Sequence, residues 1–224
     1  MATHLDLQEQ EQVDQLKAFW QQYGSLITWT LILALGAFAG WNGWNWWQRD
    51  QAVKASAMFD ELERAAQGAD TERSARVFGD LKERFPRTAY AQQGALLTAK
   101  VQADKGQADA ALATLAWASE NAGEEEIRTV ARLRAAGLLL DKKQYDAALA
   151  QLDAAAQGKG AQAFEGLLAD RRGDVLLAQG KKEDALKAFE AAYKAMDEKL
   201  DYRRLVDAKL TALGAAPAAS GAVK

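Results

Sequence analysis

The sequence contains no cysteine, a single histidine and only two prolines among its 224 residues. The lack of cysteine excludes disulfide frameworks, thiol catalysis, cysteine-ligated zinc and a lipidated cysteine anchor. The histidine is His4, so neither a histidine-based catalytic triad nor a histidine-rich metal site can be assembled. Scarce proline and abundant Ala, Leu, Gln, Glu and Lys together predict an all-α protein.

Positive charge is not in excess. Lys and Arg number 28 against 31 Asp and Glu, which gives a formal net charge of −3. Nucleic acids are bound through clustered positive charge, so we expect no nucleic-acid partner. The acidic clusters at residues 124–126 and 183–184 fall where helices should begin. Negative charge at a helix N-terminus interacts favourably with the helix dipole, so we assign these clusters no acid–base role. We predict that the protein is not an enzyme and has no catalytic residue, metal or other cofactor.

Charge is absent altogether from residues 18–48. Within that stretch, the 19 residues 26–44 are mostly apolar and would span about 28 Å as a helix, close to the thickness of a bilayer core. Aromatic residues flank the run at both ends, where rings favour the lipid headgroups. We predict a transmembrane signal anchor over residues 24–47, with these anchoring residues: Trp20, Tyr23, Leu26, Leu33, Gly36, Gly40, Trp41 and Trp44.

Two other interpretations of this segment are a buried core helix and a cleaved signal peptide. A core helix has no need of aromatic residues at both ends. A signal peptide should begin with a short basic region. The leader instead carries four acidic residues, Asp6, Glu9, Glu11 and Asp14, against the single Lys17. An uncleaved anchor therefore agrees better with the sequence.

The orientation of the anchor is weakly encoded. Lys17 precedes the apolar run, whereas Arg49, Lys54 and Arg64 follow it. Because basic residues collect on the cytoplasmic side, this count alone would place the C-terminal part in the cytoplasm.

Gly36 and Gly40 form a G-x-x-x-G pair within the anchor. Such a pair lets a second helix approach closely and allows a homo-oligomer through the membrane helix. The alternative is the ordinary frequency of glycine in membrane helices.

From residue 48 onward, the chain is predicted to be helical, and the three segments 106–112, 143–149 and 180–186 superpose at a shift of 37 residues. Small residues recur at Ala111, Ala148 and Ala185, and large ones recur four positions later. Since a small residue admits a neighbouring helix and a large one fills the gap, the pattern predicts tetratricopeptide-like helical hairpins stacked into a superhelix over residues 48–213. Chance alignment in an alanine-rich chain is the alternative. We expect a degenerate first hairpin over residues 48–87, a capping last helix and a disordered tail over residues 214–224.

The inner face of such a superhelix is lined by the first helix of each pair. Mixed apolar and charged residues there could hold an extended or helical peptide. The alternative is that its leucines belong to the interhelical core. The repeat register predicts this partner groove from Leu96, Lys100, Leu133, Leu140, Asp170, Asp174 and Leu177.

Two blocks of sequence resemble a known family. Residues 12–20 (QVDQLKAFW), a helix break at Gly24 and residues 40–44 (GWNGW) resemble the YfgM family of proteobacterial inner-membrane proteins, and residues 169–180 (ADRRGDVLLAQG) are similar to its last repeat. The resemblance implies a single-pass protein with a cytoplasmic leader over residues 1–23 and periplasmic repeats. This topology conflicts with the count of basic residues, and we give the family more weight.

The same resemblance implies a role in protein translocation. The expected partners are the SecYEG translocon, a periplasmic chaperone such as PpiD, and unfolded client polypeptides. The alternative is a structural or regulatory scaffold that self-associates through the membrane helix and bridges envelope proteins.

Overall fold

The computed structural model describes residues 7–215, and every regular element in that range is helical. The chain divides into two units, Met1–Gln51 and Ala52–Lys224. The predicted all-α fold is confirmed, whereas His4 and the tail from residue 216 lie outside the described residues. The helices are α1 (Leu7–Gln67), α2 (Thr71–Arg84), α3 (Ala89–Asp104), α4 (Ala108–Asn121), α5 (Glu125–Asp141), α6 (Tyr145–Ala156), a 3-10 helix (Ala161–Phe164), α7 (Glu165–Ala178), α8 (Lys182–Ala195) and α9 (Asp201–Ala212).

The first unit consists of the N-terminal part of α1. Of the helices that the structure describes, α1 is the one that is long and apolar enough to cross a membrane, and its most apolar stretch is almost entirely exposed. Its polar side chains bond within the helix: the Thr28 hydroxyl donates to the Gly24 carbonyl at 2.7 Å, and the Asn42 amide donates to the Phe38 carbonyl at 3.0 Å. Polar groups satisfied in this way are compatible with hydrocarbon. Such exposure argues against a core helix.

The helix break expected at Gly24 is wrong, because α1 continues through this residue. A β-carbon at position 24 would lie 3.1 Å from the Trp20 indole. Glycine costs about 1 kcal/mol relative to alanine inside a helix. Here its missing side chain gives room to the indole, so the glycine marks a close contact and the helix does not end there.

In the second unit, the same turn joins the two helices of each hairpin. The residues Ala69, Gly106, Lys143 and Gly180 are 37 positions apart, and their φ angles are 50°, 74°, 59° and 79°. The amide of each following residue donates to a carbonyl five positions earlier, at 2.8–3.0 Å. This left-handed C-terminal turn satisfies the last carbonyls of the first helix. The repeat therefore extends into the first hairpin, which the sequence treats as degenerate.

Lys143 occupies a turn position that glycine fills in two of the other three hairpins. Because a β-carbon is strained at positive φ, we expect Lys143→Gly to raise the free energy of unfolding by about 0.5–1 kcal/mol. Urea denaturation followed by circular dichroism measures the change. Lys143→Ala is the control and should give no comparable gain. Equal stabilisation by both variants would show that the backbone conformation is not the cause.

The interhelical positions follow the predicted register. The small residues Ala111, Ala148 and Ala185 are fully buried, and the large residues Leu115, Leu152 and Phe189 are at most 1% exposed. One period earlier, Ser74 and Phe78 are also buried. The packing is therefore the same in all four hairpins, which pair the end of α1 with α2, α3 with α4, α5 with α6, and α7 with α8.

Candidate partner-binding groove

An open cleft of about 440 Å³ lies where α3, α5 and α7 meet. A smaller cleft of about 270 Å³ lies between the end of α1 and α3, and the two share Lys100. Both involve first helices of hairpins, as expected for the inner face. The larger cleft is lined by Ala99, Lys100, Ala103, Leu115, Leu133, Arg134, Gly137, Leu138, Asp141 and Arg171.

The structure places only two of the predicted groove residues, Lys100 and Leu133, in the larger cleft. Leu96 is half-buried and packs against the core between α3, α4 and α5. Leu140 packs against the core between α5, α6 and α7. Leu177 is 40% exposed near the end of α7 and lines neither cleft. For Leu96 and Leu140, the interhelical core accounts for the apolar side chain.

The two predicted acidic groove residues already bind the last helix. Asp170 is 1% exposed, and its carboxylate accepts hydrogen bonds from Lys209 Nζ at 2.7 and 2.9 Å and from the Tyr202 hydroxyl at 2.8 Å. Lys209 Nζ also donates to Asp174 Oδ1 at 2.7 Å. These bonds join α9 to α7, so a partner could reach the Asp170 carboxylate only if α9 moved away.

Burial and the hydrogen bond to Asp170 raise the pKa of Tyr202 to about 12. An unfolded tyrosine titrates near 10, so the folded state holds this proton more tightly than the unfolded chain does. The contribution of Tyr202 to stability is therefore complete below about pH 10, and it is lost as the pH rises from about 10 to about 12.

A spectrophotometric titration of tyrosinate tests this assignment. A late ionisation step should be present in the unaltered chain and missing in Tyr202→Phe. Tyr145→Phe is the control and should keep the late step. A late step that persists in Tyr202→Phe would contradict the assignment.

Two arginines of the larger cleft, Arg134 and Arg171, are absent from the groove predicted from the sequence. Arg134 Nη1 donates to the Leu96 carbonyl at 3.0 Å, which connects α5 to α3. The Arg171 guanidinium lies over Gly137, where a β-carbon would be 3.7 Å from its Cζ. The signal was present in the sequence, since the two arginines are separated by one 37-residue period.

The predicted anchoring side chains are all exposed, from 43% for Tyr23 to 70% for Leu33. Aromatic rings pair near both ends of the apolar run: Phe19 with Tyr23 at 5.1 Å and Trp44 with Trp47 at 5.2 Å. No atom of the described residues lies within 4 Å of a β-carbon built on Gly36 or Gly40, so the helix surface is open to the rest of this described range. The other exposed anchoring residues are Trp20, Leu26, Trp41 and Trp44.

Metal-ligating side chains do not gather in the part of the chain that the structure describes: it contains no cluster of three or more His, Asp or Glu residues suited to a metal ion. The acidic residues at 125–126 and 183–184 lie in the first turns of α5 and α8, where negative charge interacts favourably with the helix dipole.

Residues 17–215 match a family described as the tetratricopeptide repeat-like domain. The chain is similar to a Haemophilus influenzae protein named Ancillary SecYEG translocon subunit, with 30% identity over 132 residues, which cover 59% of this chain and 64% of that relative. A Neisseria gonorrhoeae protein of the same name is 31% identical over 141 residues, which cover 62% and 66%. The chain thus spans slightly less than two thirds of each relative. These relatives confirm the resemblance to the YfgM family.

Proposed function

The chain belongs to the tetratricopeptide repeat-like domain family, and on that premise we propose that it is a non-enzymatic, single-pass inner-membrane protein that binds other proteins at the SecYEG translocon. The observation that carries the proposal is that one chain combines an exposed apolar helix with a stack of paired helices that has an open cleft. The names of the two relatives supply the translocon as the place of action.

We propose the following organisation of the chain. Residues 1–23 form a cytoplasmic leader, residues 24–47 the transmembrane anchor and residues 48–213 the periplasmic repeat domain. The exposed apolar surface and the aromatic pairs at both ends support the anchor. The resemblance to the YfgM family supports a periplasmic repeat domain against the count of basic residues.

Protease added to spheroplasts tests the orientation. We expect the repeat domain to be digested without lysis, because the periplasmic side is then accessible. A cytoplasmic protein in the same cells serves as the control for intact membranes and should survive. Protection of the repeat domain until lysis would place it in the cytoplasm and would contradict a periplasmic role.

The larger cleft is the proposed contact with partner polypeptides, among which we include unfolded clients and a PpiD-like chaperone. A photoreactive benzophenone residue in place of Leu133, which lines the cleft, should cross-link to other proteins in intact membranes. The matched control carries the same residue in place of Lys187, which is exposed on α8. Equal cross-linking from both positions would contradict a binding role for the cleft.

The second candidate function is a self-associating scaffold that bridges envelope or regulatory proteins. The open helix surface at Gly36 and Gly40 favours it, since a second helix could approach closely there. Gly40→Leu should then reduce the copy number of the chain in complexes isolated in mild detergent. An unchanged copy number would count against this candidate.

A further inference from the structure

We propose that the larger cleft selects polypeptide segments in which an acidic side chain stands between apolar ones, and that the guanidinium of Arg171 binds the carboxylate. This inference rests on the proposed function, because it names the chemistry of the partner at the same cleft.

Arg134 and Arg171 occupy equivalent positions one repeat apart. Arg134 Nη1 donates to the carbonyl of Leu96, so its guanidinium has a partner in the preceding hairpin. One period later, Arg171 would donate to the carbonyl of Leu133, but it forms no such bond. Its guanidinium instead lies over Gly137, in ordinary van der Waals contact with the position of a β-carbon there, at 3.7 Å.

Arg171 lacks a full set of partners within the described residues. Its Nε is buried and has no hydrogen-bond partner, although its side chain is 35% exposed overall. The Oδ2 atom of Asp174 is 3.8 Å from Nη1, beyond hydrogen-bonding distance. Asp174 also accepts a hydrogen bond from Lys209, so its charge is shared. Neither Nη atom donates a hydrogen bond within the described residues, and the exposed part of the side chain lines the cleft, where a partner molecule can accept from it.

The charge and the apolar lining of the cleft match such a segment. Three cations line the cleft, Lys100, Arg134 and Arg171, against one acidic residue, Asp141. Lys100 already pairs with Asp104, which leaves the arginines as the main source of positive potential. A guanidinium presents a planar fork that fits a carboxylate in a bidentate manner. The remaining lining is largely apolar: Ala99, Ala103, Leu115, Leu133, Gly137 and Leu138.

A pair of peptides tests the inference on the full chain in detergent micelles. The probe is Ala-Leu-Ala-Glu-Leu-Ala-amide with an uncharged fluorescent label on its N-terminal nitrogen, and its comparison peptide has Gln in place of Glu. Both ends are blocked, so the glutamate is the sole carboxylate. A charge-assisted hydrogen bond pair should make the Glu peptide bind about tenfold more tightly by fluorescence polarisation.

Variants assign this preference to one residue. Arg171→Met should bind the two peptides equally, because the guanidinium is lost while an apolar stem remains. Arg171→Lys should keep part of the preference, since its charge remains without the fork. The matched control is Arg204→Met, which removes a guanidinium that is 86% exposed on α9, and it should keep the full preference.

Two results would overturn the inference, and they differ in what they mean for the proposed function. Equal binding of both peptides to the unaltered chain, or an unchanged preference in Arg171→Met, would remove the acidic selectivity but leave a peptide-binding cleft. Failure of both peptides to bind would overturn the selectivity and would also count against the cleft as a polypeptide site.

Discussion

Replacing Phe189 with alanine is expected to lower the free energy of unfolding by about 3–5 kcal/mol, because it empties the core of the last hairpin. Phe189 is fully buried on α8 and belongs to a core cluster with Met196, Val206 and Leu210. The nitrogen of Lys209 also lies 5.1 Å from the centre of its ring. Urea denaturation of the full chain in micelles, followed by circular dichroism, measures the loss.

The contact between Phe189 and Gly173 supplies a more selective test of the same core. A β-carbon on Gly173 would lie 2.5 Å from the nearest ring atom, so Gly173→Ala should cost about 1–3 kcal/mol. The cost should shrink in a Phe189→Leu background, where the ring is gone. Helix propensity alone predicts the opposite, a gain of about 0.5–1 kcal/mol. Stabilisation by Gly173→Ala in the unaltered background would contradict the packing described here.

Asp170→Ala is expected to lower the free energy of unfolding by about 3 kcal/mol, since it leaves Lys209 and Tyr202 without their buried acceptor. Asp174 still accepts a hydrogen bond from Lys209. The loss in the free energy of unfolding is therefore at the lower end of the range for breaking a buried ion pair. Urea denaturation of the full chain in micelles, followed by circular dichroism, measures this loss of stability. Because Asp170 holds α9 against α7, protease sites within α9 should also become more accessible.

The control for Asp170 is an exposed ion pair made by the same helix. Arg172 on α7 pairs with Asp153 on α6, and the Asp153 side chain is 57% exposed. Because exposed pairs contribute little, Asp153→Ala should cost less than about 1 kcal/mol. Similar losses for Asp170→Ala and Asp153→Ala would show that burial does not decide the strength of these pairs.

The repeat architecture could be predicted because it depends on local spacing. The 37-residue period places Ala111, Leu115 and their equivalents in the core without knowledge of the fold. Thr88 caps α3 as its sequence position suggests, by accepting a hydrogen bond from the Ala91 amide. The first hairpin was harder to recognise, because Ser74, Phe78 and Ala69 keep the geometry of the repeat with different side chains.

The cleft could be predicted only in part. Register identifies which helices line the inner face, but it does not tell which side chains reach the cleft, because that depends on neighbouring helices. Asp170 pairs with a lysine 39 positions further along the chain, and no periodic pattern predicts that pair. Arg171 was missed because the surroundings of its guanidinium depend on the packing of α5 against α7.

Purification of the full chain from its native membranes in mild detergent tests the central claim most directly. We expect SecY, SecE and SecG to co-purify with the chain and to remain bound to it after washing. A variant lacking residues 24–47 should release the chain from the membrane fraction and serves as the control. A purified complex that contains neither a translocon component nor a chaperone would contradict the proposal that this protein acts at the translocon.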